Sequence, residues 1–284
     1  MTSNLSLKTT LSLPNSSVKI PALGFGVYQS PVDVCIKSCT TALKAGYRHI
    51  DTAQYYANEE QVGEAVRQSG IPRSDIFLTS KILTPGDDEE ETYKSVIASV
   101  DKLDKDGYLD LMLIHSPNAG TRARKLMWGA LERAHKEGRI KAIGVSNYGK
   151  APIEEMKEYA TTFPPHVNQI ELHPFCQQRE AVEYCQSQKI VVEAYCPLVR
   201  NQRAKDQTLN ELARKYHKTT GQILIRWSLQ KGFVPLPKSD TPSRIEENAD
   251  LYTFALNRED MAALDGLDEG AAGAIVQEVT GQKV

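Results

Sequence analysis

The 284-residue sequence lacks the features that mark a disulfide-rich or membrane-spanning protein. Its five cysteines are odd in number and scattered, and no two of them form a CxxC pair, so they indicate reduced thiols and not a disulfide framework. No stretch approaches the ~20 apolar residues that span a bilayer, and the polar residues 1–8 precede no apolar run. We therefore expect a cytoplasmic protein without a membrane partner.

An excess of charge of either sign is also missing. The 34 basic and 36 acidic residues are interleaved and nearly cancel, so the chain has no electrostatic footprint for nucleic acid. No Ser/Gly/Pro-rich linker or repeat divides the sequence. Because an α/β barrel uses about 250 residues as one domain, we expect a single domain over residues 1–284 that acts as a monomer or a weak dimer.

What the sequence does contain is a regular alternation of short apolar strands and amphipathic helical segments. Strands are predicted at 22–27, 48–51, 76–81, 109–115, 142–145, 167–171, 190–195 and 233–237. Helices are predicted at 32–45, 59–68, 92–103, 123–136, 153–159, 180–187, 209–216 and 221–230. Two short alternating runs flank a Pro14-Asn15-Ser16 turn. The pattern predicts the α/β class, as a single (β/α)₈ TIM barrel with an N-terminal β-hairpin at about residues 7–21.

Two features of the sequence disfavour a Rossmann domain, the usual dinucleotide-binding fold. Gly24-Phe-Gly26 begins like a dinucleotide fingerprint, but Gln29 stands where the third glycine belongs and no helix start follows at once.

Each predicted strand ends in a polar residue that is capable of chemistry. In a barrel of parallel strands these ends converge on one face, where such proteins build their active sites. Asp51, Lys81 and His115 follow three neighbouring strands, and a phenol lies in the segment after Asp51. A phenol has an ordinary pKa near 10, which a nearby ammonium lowers, so tyrosine, lysine and aspartate together suit proton donation.

Taken alone, each of these residues has a simpler explanation. Asp51 could be a turn residue, Lys81 a solvated lysine, and His115 a hydrogen-bonded core histidine. Their joint occurrence at strand ends favours a catalytic role.

The chain resembles the aldo-keto reductase superfamily over nearly its whole length. The matching stretches are LGFG at 23–26, DTAQYYANE at 51–59, LTSK at 78–81, DLMLIH at 110–115, IGVSN at 143–147, VNQIE at 167–171, AY at 194–195 with PL at 197–198, and PKS at 237–239 through Arg244 to Glu247-Asn248. The resemblance implies that Asp51, Tyr56, Lys81 and His115 form the proton-donor unit. The family spacing of five residues after the aspartate selects Tyr56 and leaves Tyr55 to the substrate pocket.

The resemblance also implies that NADPH/NADP⁺ binds across the barrel mouth. Hydroxyl, amide and aromatic side chains suit a flat nicotinamide ring and its carboxamide, and paired cations suit a phosphate. Tyr195 could instead be ordinary barrel packing, and Lys238 and Arg244 could be surface charges near a helix that starts at Thr241-Pro242. The expected nicotinamide site consists of Ser146, Asn147, Gln169 and Tyr195, and Leu198 is a further expected cofactor contact. The expected adenosine 2′-phosphate and adenine site, which favours NADPH over NADH, consists of Lys238, Ser239, Arg244, Glu247 and Asn248.

The sequence departs from the family pattern around the expected substrate pocket. Ser116 stands where many relatives have tryptophan, so the pocket formed with Tyr28 and Tyr55 should be wider or more polar. The segment after Leu198 is short, which predicts a modest belt over the pyrophosphate. After the helix-like residues 257–267 no aromatic residue occurs, so the substrate lid should be reduced.

The sequence thus predicts an oxidoreductase that reduces an aldehyde or ketone with NADPH. One alternative is a non-catalytic redox-sensing subunit of a larger assembly, against which stands the retention of all four donor residues. A second is a metal-dependent barrel hydrolase that uses Asp51, His115, His166 and His173. Its histidines lack His-x-His spacing and Lys81 would face the metal, so we expect no metal.

Overall fold

An antiparallel hairpin precedes the main sheet, as the Pro14-Asn15-Ser16 turn predicts. In the computed structural model, which describes residues 5–105 and 107–281, β1 (Thr10–Ser12) pairs with β2 (Lys19–Pro21). The hairpin buries Ile20 against Phe77 and Val234, which are the first residues of two barrel strands. The hairpin therefore closes the amino-terminal end of the barrel.

The main sheet has eight parallel strands in chain order. Each strand forms hydrogen bonds with the next along the chain, as crossover helices require. The strands are β3 (Phe25–Gly26), β4 (His49–Asp51), β5 (Phe77–Ile82), β6 (Leu109–Ile114), β7 (Ile140–Ser146), β8 (Val167–Glu171), β9 (Val191–Tyr195) and β10 (Val234–Pro235).

Two hydrogen bonds join the first strand segment to the last. The Gly24 and Gly26 amides donate to the carbonyl oxygens of Pro235 and Pro237 at 3.1 and 3.0 Å. A Cβ at position 24 would lie 2.4 Å from Leu236 Cδ2, so a larger residue there would force the Leu236 side chain to shift. The eight strands thus form the predicted (β/α)₈ TIM barrel.

Helices cover the outside of the barrel, as the sequence predicts, with differences at their ends. They are α1 (Val32–Lys44), α2 (Glu59–Gln68), α3 (Glu89–Leu103), α4 (Thr121–Lys136), α5 (Lys150–Met156), α6 (Arg179–Ser187), α7 (Gln207–Tyr216), α8 (Thr220–Gln230), α9 (Pro242–Glu247) and α10 (Arg258–Asp265). Over residues 5–105 and 107–281, every helix is too short or too polar to span a lipid bilayer.

The boundary differences have identifiable physical causes. Helix α5 occupies 150–156 where 153–159 was predicted. Pro152 lies in its first turn, where a missing N–H costs no helical hydrogen bond. Strands β3 and β10 contain two residues each where six and five were predicted. Pro235 and Pro237 have no N–H to donate, which shortens the ladder on that side of the barrel.

Candidate active site

Two neighbouring strand ends and the turn that follows the first of them bring a buried ion pair and a phenol together. The Lys81 ammonium on β5 donates to Asp51 Oδ1 at the end of β4 at 2.6 Å. It also donates to the Thr52 carbonyl at 2.9 Å and to the Tyr56 hydroxyl at 3.3 Å. Lys81 is 0% exposed, so water does not solvate its charge. Within residues 5–105 and 107–281, these three oxygens are its hydrogen-bond partners. The arrangement can hold and relay a proton at the Tyr56 oxygen.

The two adjacent tyrosines occupy different positions. They belong to a 3₁₀ turn, Gln54–Tyr56, which ends at Ala57 in the left-handed region with φ 55°. The turn directs Tyr56 onto Lys81, whereas Tyr55 is 64% exposed at the cleft rim. Its ring centroid lies 6.2 Å from that of His115. Only the Tyr56 hydroxyl therefore contacts the ion pair.

The expected lowering of the Tyr56 pKa is outweighed in this structure. Burial raises the pKa of Tyr56 above its usual value, and the Lys81 ammonium opposes that rise. Burial acts to lower the pKa of Lys81, but the Asp51 carboxylate and the Tyr56 hydroxyl together outweigh it, so that pKa is raised. The expectation from sequence omitted the burial of the phenol. Lys81 thus keeps its charge. It limits the rise in the pKa of Tyr56 but does not lower that pKa below its usual value.

His115 completes the group that the sequence predicts. It follows β6, and its ring centroid lies 5.7 Å from that of Tyr56. Burial, together with the charge of Lys81, lowers the pKa of His115 to about 3, so the ring is neutral near neutral pH. Its Nδ1 is buried with no hydrogen-bond partner in the described part of the chain. A neutral imidazole here can donate one hydrogen bond to a substrate oxygen.

Asn147, which follows β7, and Gln169 on β8 line the cleft beside this group. Asn147 adopts a left-handed φ of 64°, and its side chain donates to the His115 carbonyl at 2.9 Å. The Tyr195 hydroxyl donates to Asn147 Oδ1 at 2.9 Å, and Ser146 Oγ donates to the Gln169 carbonyl at 2.7 Å. The predicted nicotinamide-site residues therefore lie together. The cleft of about 520 Å³ is lined by Asp51, Tyr56 and His115, by Ser146, Asn147, Gln169, Tyr195 and Leu198, and by Tyr28, Tyr55 and Ser116.

A second cavity of about 360 Å³ contains all five residues of the predicted phosphate and adenine site. Arg244 lies on α9, which has Pro242 at its first position, as the Thr241-Pro242 pair predicts. Lys238 forms an ion pair with Asp240, which the sequence analysis missed. The lining residues from the prediction are Lys238, Ser239, Arg244, Glu247 and Asn248.

The two cavities are parts of one groove. Leu198, Arg200 and Lys238 line both of them. The Arg200 guanidinium lies 5.6 Å from the ring centroid of Tyr28 across the groove. Residues 199, 200 and 201 all have left-handed φ angles of 47°, 47° and 61°. The short segment after Leu198 thus lines the groove with two arginines, Arg200 and Arg203.

The carboxyl-terminal segment supplies a wall that sequence reasoning missed. The buried Glu171 carboxylate accepts the amide N–H groups of Ile275, Val276 and Gln277 at 2.5, 2.7 and 2.8 Å. Val276 and Gln277 line the first cavity as a result. Apart from the missing aromatic residues, no sequence signal located this segment, since its path depends on a carboxylate 104 positions earlier.

Two of the three histidines of the alternative metal site, His166 and His173, have other partners. His166 Nδ1 lies 2.9 Å from the Ile143 carbonyl oxygen, and His173 Nε2 lies 2.9 Å from Glu171 Oε1. Over residues 5–105 and 107–281, no three His, Cys, Asp or Glu side chains are grouped to hold a metal ion. The residues of the hydrolase alternative therefore do not form a ligand set.

Comparisons with known proteins agree on one family. The sequence model described as "Aldo/keto reductase family" matches residues 26–269. A relative named glyoxal reductase, from Bacillus subtilis, is 42% identical over 265 residues, which cover 93% of this chain and 94% of the relative.

Solved structures with the same fold give the same result. An aldo/keto reductase from Brucella melitensis has a TM-score of 0.86 and 43% identity, and the match covers 92% of this chain and 99% of that one. A Bombyx mori aldo-keto reductase, solved in complex with NADP, has a TM-score of 0.86 and 31% identity, with 96% of each chain covered.

Proposed function

Because the chain belongs to the aldo/keto reductase family, a family of carbonyl-reducing oxidoreductases, we propose that it reduces an aldehyde or ketone to an alcohol with NADPH. The observation that carries this proposal is the contact of one fully buried ammonium, Lys81, with both the Asp51 carboxylate and the Tyr56 hydroxyl. A proton donor held beside a buried charge at the mouth of a barrel suits protonation of a carbonyl oxygen.

The groove residues fit a nicotinamide dinucleotide phosphate. The two joined cavities of the groove, each of several hundred Å³, have the size of typical cofactor sites. Ser146, Asn147 and Gln169 would hold the carboxamide, and Tyr195 and Leu198 would pack against the ring. Lys238, Ser239 and Arg244 would hold the 2′-phosphate because charge-assisted hydrogen bonds to phosphate oxygens are strong. Glu247 and Asn248 would face the adenine.

The bound cofactor supplies hydride, and the protein supplies position and a proton. Tyr56 gives its hydroxyl proton to the carbonyl oxygen as negative charge develops there. Lys81 stabilises the phenolate that this step leaves, and Asp51 holds the ammonium in place. The neutral His115 imidazole orients the carbonyl oxygen by donating a hydrogen bond. Stabilisation of charge that develops only in the transition state is what raises the rate.

The walls of the cleft present both apolar and polar groups to a carbonyl substrate. Tyr28, Tyr55 and Val276 provide apolar surface at the rim, and Ser116 and Gln277 provide polar groups. Since one relative is named glyoxal reductase, small dicarbonyls should be included with aromatic and aliphatic aldehydes. We extend the proposal to a cytoplasmic location, because all five cysteines are free thiols.

Two measurements test the proposed reaction together. The consumption of NADPH is followed by its absorbance while the alcohol product is identified from a panel of aldehydes, ketones and dicarbonyls. We expect equal amounts of NADP⁺ and alcohol with at least one substrate class, and an unchanged rate after treatment with a chelator. NADPH consumption without alcohol, or none with any member of the panel, would contradict the proposal.

A further inference from the structure

A carboxyl group lies in the centre of the barrel, below the residues described so far. Glu193 is on β9, in register with Gln169 on β8, and is 0% exposed. Barrel interiors are filled mainly by bulky apolar side chains. A carboxyl at such a position costs free energy unless its polar atoms have partners. Its contacts therefore indicate what it does for the site.

The Gln169 amide links Glu193 to the ion pair. Gln169 Nε2 lies 2.8 Å from Asp51 Oδ2 and 2.8 Å from Glu193 Oε2. The Asp51 carboxylate can only accept a hydrogen bond, so the amide nitrogen must face it, and an acceptor oxygen of Glu193 takes the second N–H. Because Gln169 also lines the first cavity, its amide oxygen is the atom that remains for a ligand.

The charged and titratable groups around Glu193 explain its protonation state near neutral pH. His49 and Asp51 face it from β4, and Lys81 faces it from β5. Burial raises the pKa of Glu193 to about 8, and the Asp51 charge adds to that rise. Burial also lowers the pKa of His49 to about 3, which leaves that ring neutral. Near neutral pH the cluster thus has one ammonium, one carboxylate and one neutral acid.

We propose that Glu193 is a positioning residue, which holds the Gln169 amide against Asp51 so that the amide oxygen faces the carboxamide of the cofactor. This inference rests on the proposed cofactor site. Without an acceptor at position 193, one buried N–H of Gln169 has no partner, which costs free energy. The amide then turns or moves, and the carboxamide loses its acceptor.

Three substitutions separate hydrogen bonding from packing. Glu193→Gln keeps an acceptor oxygen for Gln169, whereas Glu193→Leu has nearly the same volume and no acceptor. Glu193→Met, whose flexible thioether fills the same space, replaces the leucine variant if that variant does not fold. Circular dichroism melting establishes that each variant is folded.

The readout is direct binding of two probes, followed by fluorescence titration or calorimetry. NADPH contains the nicotinamide end, and adenosine 2′,5′-bisphosphate contains only the adenosine end. We expect the apolar variant to bind NADPH about 5- to 10-fold more weakly, which corresponds to the loss of one hydrogen bond. Glu193→Gln should bind NADPH within about twofold of wild type, and all variants should bind the bisphosphate equally.

Distinct outcomes would overturn the positioning role and the proposed reaction. A folded leucine or methionine variant with wild-type affinity for NADPH would overturn the role of Glu193. Equal weakening by Glu193→Gln, or equal weakening for both probes, would do the same, because each would indicate general damage to the groove. Wild-type protein that binds NADPH but reduces no carbonyl would overturn the proposed function and leave the positioning role intact.

Discussion

The most unusual residue of the site is Lys81, whose ammonium is fully buried beneath the cleft. Removing such a charge from water costs several kcal/mol, and only close opposite charge and hydrogen bonds offset that cost. Asp51 supplies the charge, while the Thr52 carbonyl and the Tyr56 hydroxyl supply the remaining partners. The contacts that offset the cost of burying the ammonium thus also hold it against the Tyr56 hydroxyl.

Glu193 should make the folding stability depend on pH. Its pKa is about 8 when folded, against 4.5 for an ordinary glutamate. Between those values the folded protein binds a proton that the unfolded chain releases, so the stabilisation is fully present below about pH 4.5 and is lost as pH rises through about 8. Thermal melts of wild type and Glu193→Gln over this range test this. As the pH rises, the melting temperature of wild type should fall relative to that of the variant. A difference between the two melting temperatures that stays constant with pH would contradict the raised pKa.

At the scale of elements, the groove depends on loops that other parts of the chain hold in place. Asp240, which follows β10, accepts hydrogen bonds from Ser30 and Ser38 at 2.6 and 2.8 Å and pairs with Lys238. The middle of α1 and the loop before this helix thereby fix the loop that leads into α9. These contacts hold the proposed phosphate end of the groove in place.

Arg244 should decide the preference between the two nicotinamide cofactors. We expect Arg244→Ala to weaken NADPH binding about tenfold, since a charge-assisted hydrogen bond is lost, and to leave NADH binding nearly unchanged. Arg67→Ala is the matched control, because Arg67 is a helix arginine paired with Glu64 on α2. Titration with both cofactors measures the effect. Equal weakening of NADPH and NADH binding would contradict the phosphate assignment.

The carboxyl-terminal segment should act on substrates and not on the cofactor. Glu171→Gln replaces a carboxylate that accepts three amide N–H groups with a neutral amide that has one acceptor oxygen. We expect KM for the carbonyl compound to rise severalfold, while the affinity for NADPH stays within about twofold of wild type. Limited proteolysis should cleave the segment faster. A wild-type KM together with an unchanged cleavage rate would count against this role of Glu171.

At the scale of the whole molecule, the two ends of the barrel have different chemistry. The hairpin and apolar residues such as Ile20 and Phe77 close the amino-terminal end. The carboxyl-terminal end contains the ion pair and the groove. Stability and chemistry are thus concentrated at opposite ends, as is usual in barrels of this kind.

Barrel closure should be sensitive to one glycine. A Cβ at position 24 would lie 2.4 Å from Leu236 Cδ2 and 2.7 Å from His49 Nδ1. Overpacking of this kind costs about 1–3 kcal/mol, so Gly24→Ala should lower the free energy of unfolding by that amount. Denaturant titration gives the value. Gly129→Ala on α4 is the control, since a Cβ there meets no atom within 4 Å. Equal stability of the two variants would show that the closure tolerates a side chain.

Most of the fold, and the grouping of Asp51, Lys81 and His115 at one end of the barrel, were predictable from the sequence, for a physical reason. Parallel strands with polar ends repeat along the chain, and their convergence follows from barrel geometry alone. Asp51, Lys81 and His115 are each identified by their own strand end. Glu193 and Gln277 could not be found in this way, because one acts through the Gln169 amide and the other is placed by the Glu171 carboxylate. Their roles depend on partners distant in sequence.

The most direct test of the proposed reaction is the rate of carbonyl-dependent NADPH oxidation by Tyr56→Phe at saturating cofactor. Loss of the proton donor should reduce kcat at least 100-fold, while NADPH still binds and Tyr55→Phe keeps most of the wild-type rate. The Tyr55 variant is the matched control, since its hydroxyl lies outside the ion pair. A Tyr56→Phe variant that turns over at the wild-type rate, or a Tyr55→Phe variant that is inactive instead, would contradict the account.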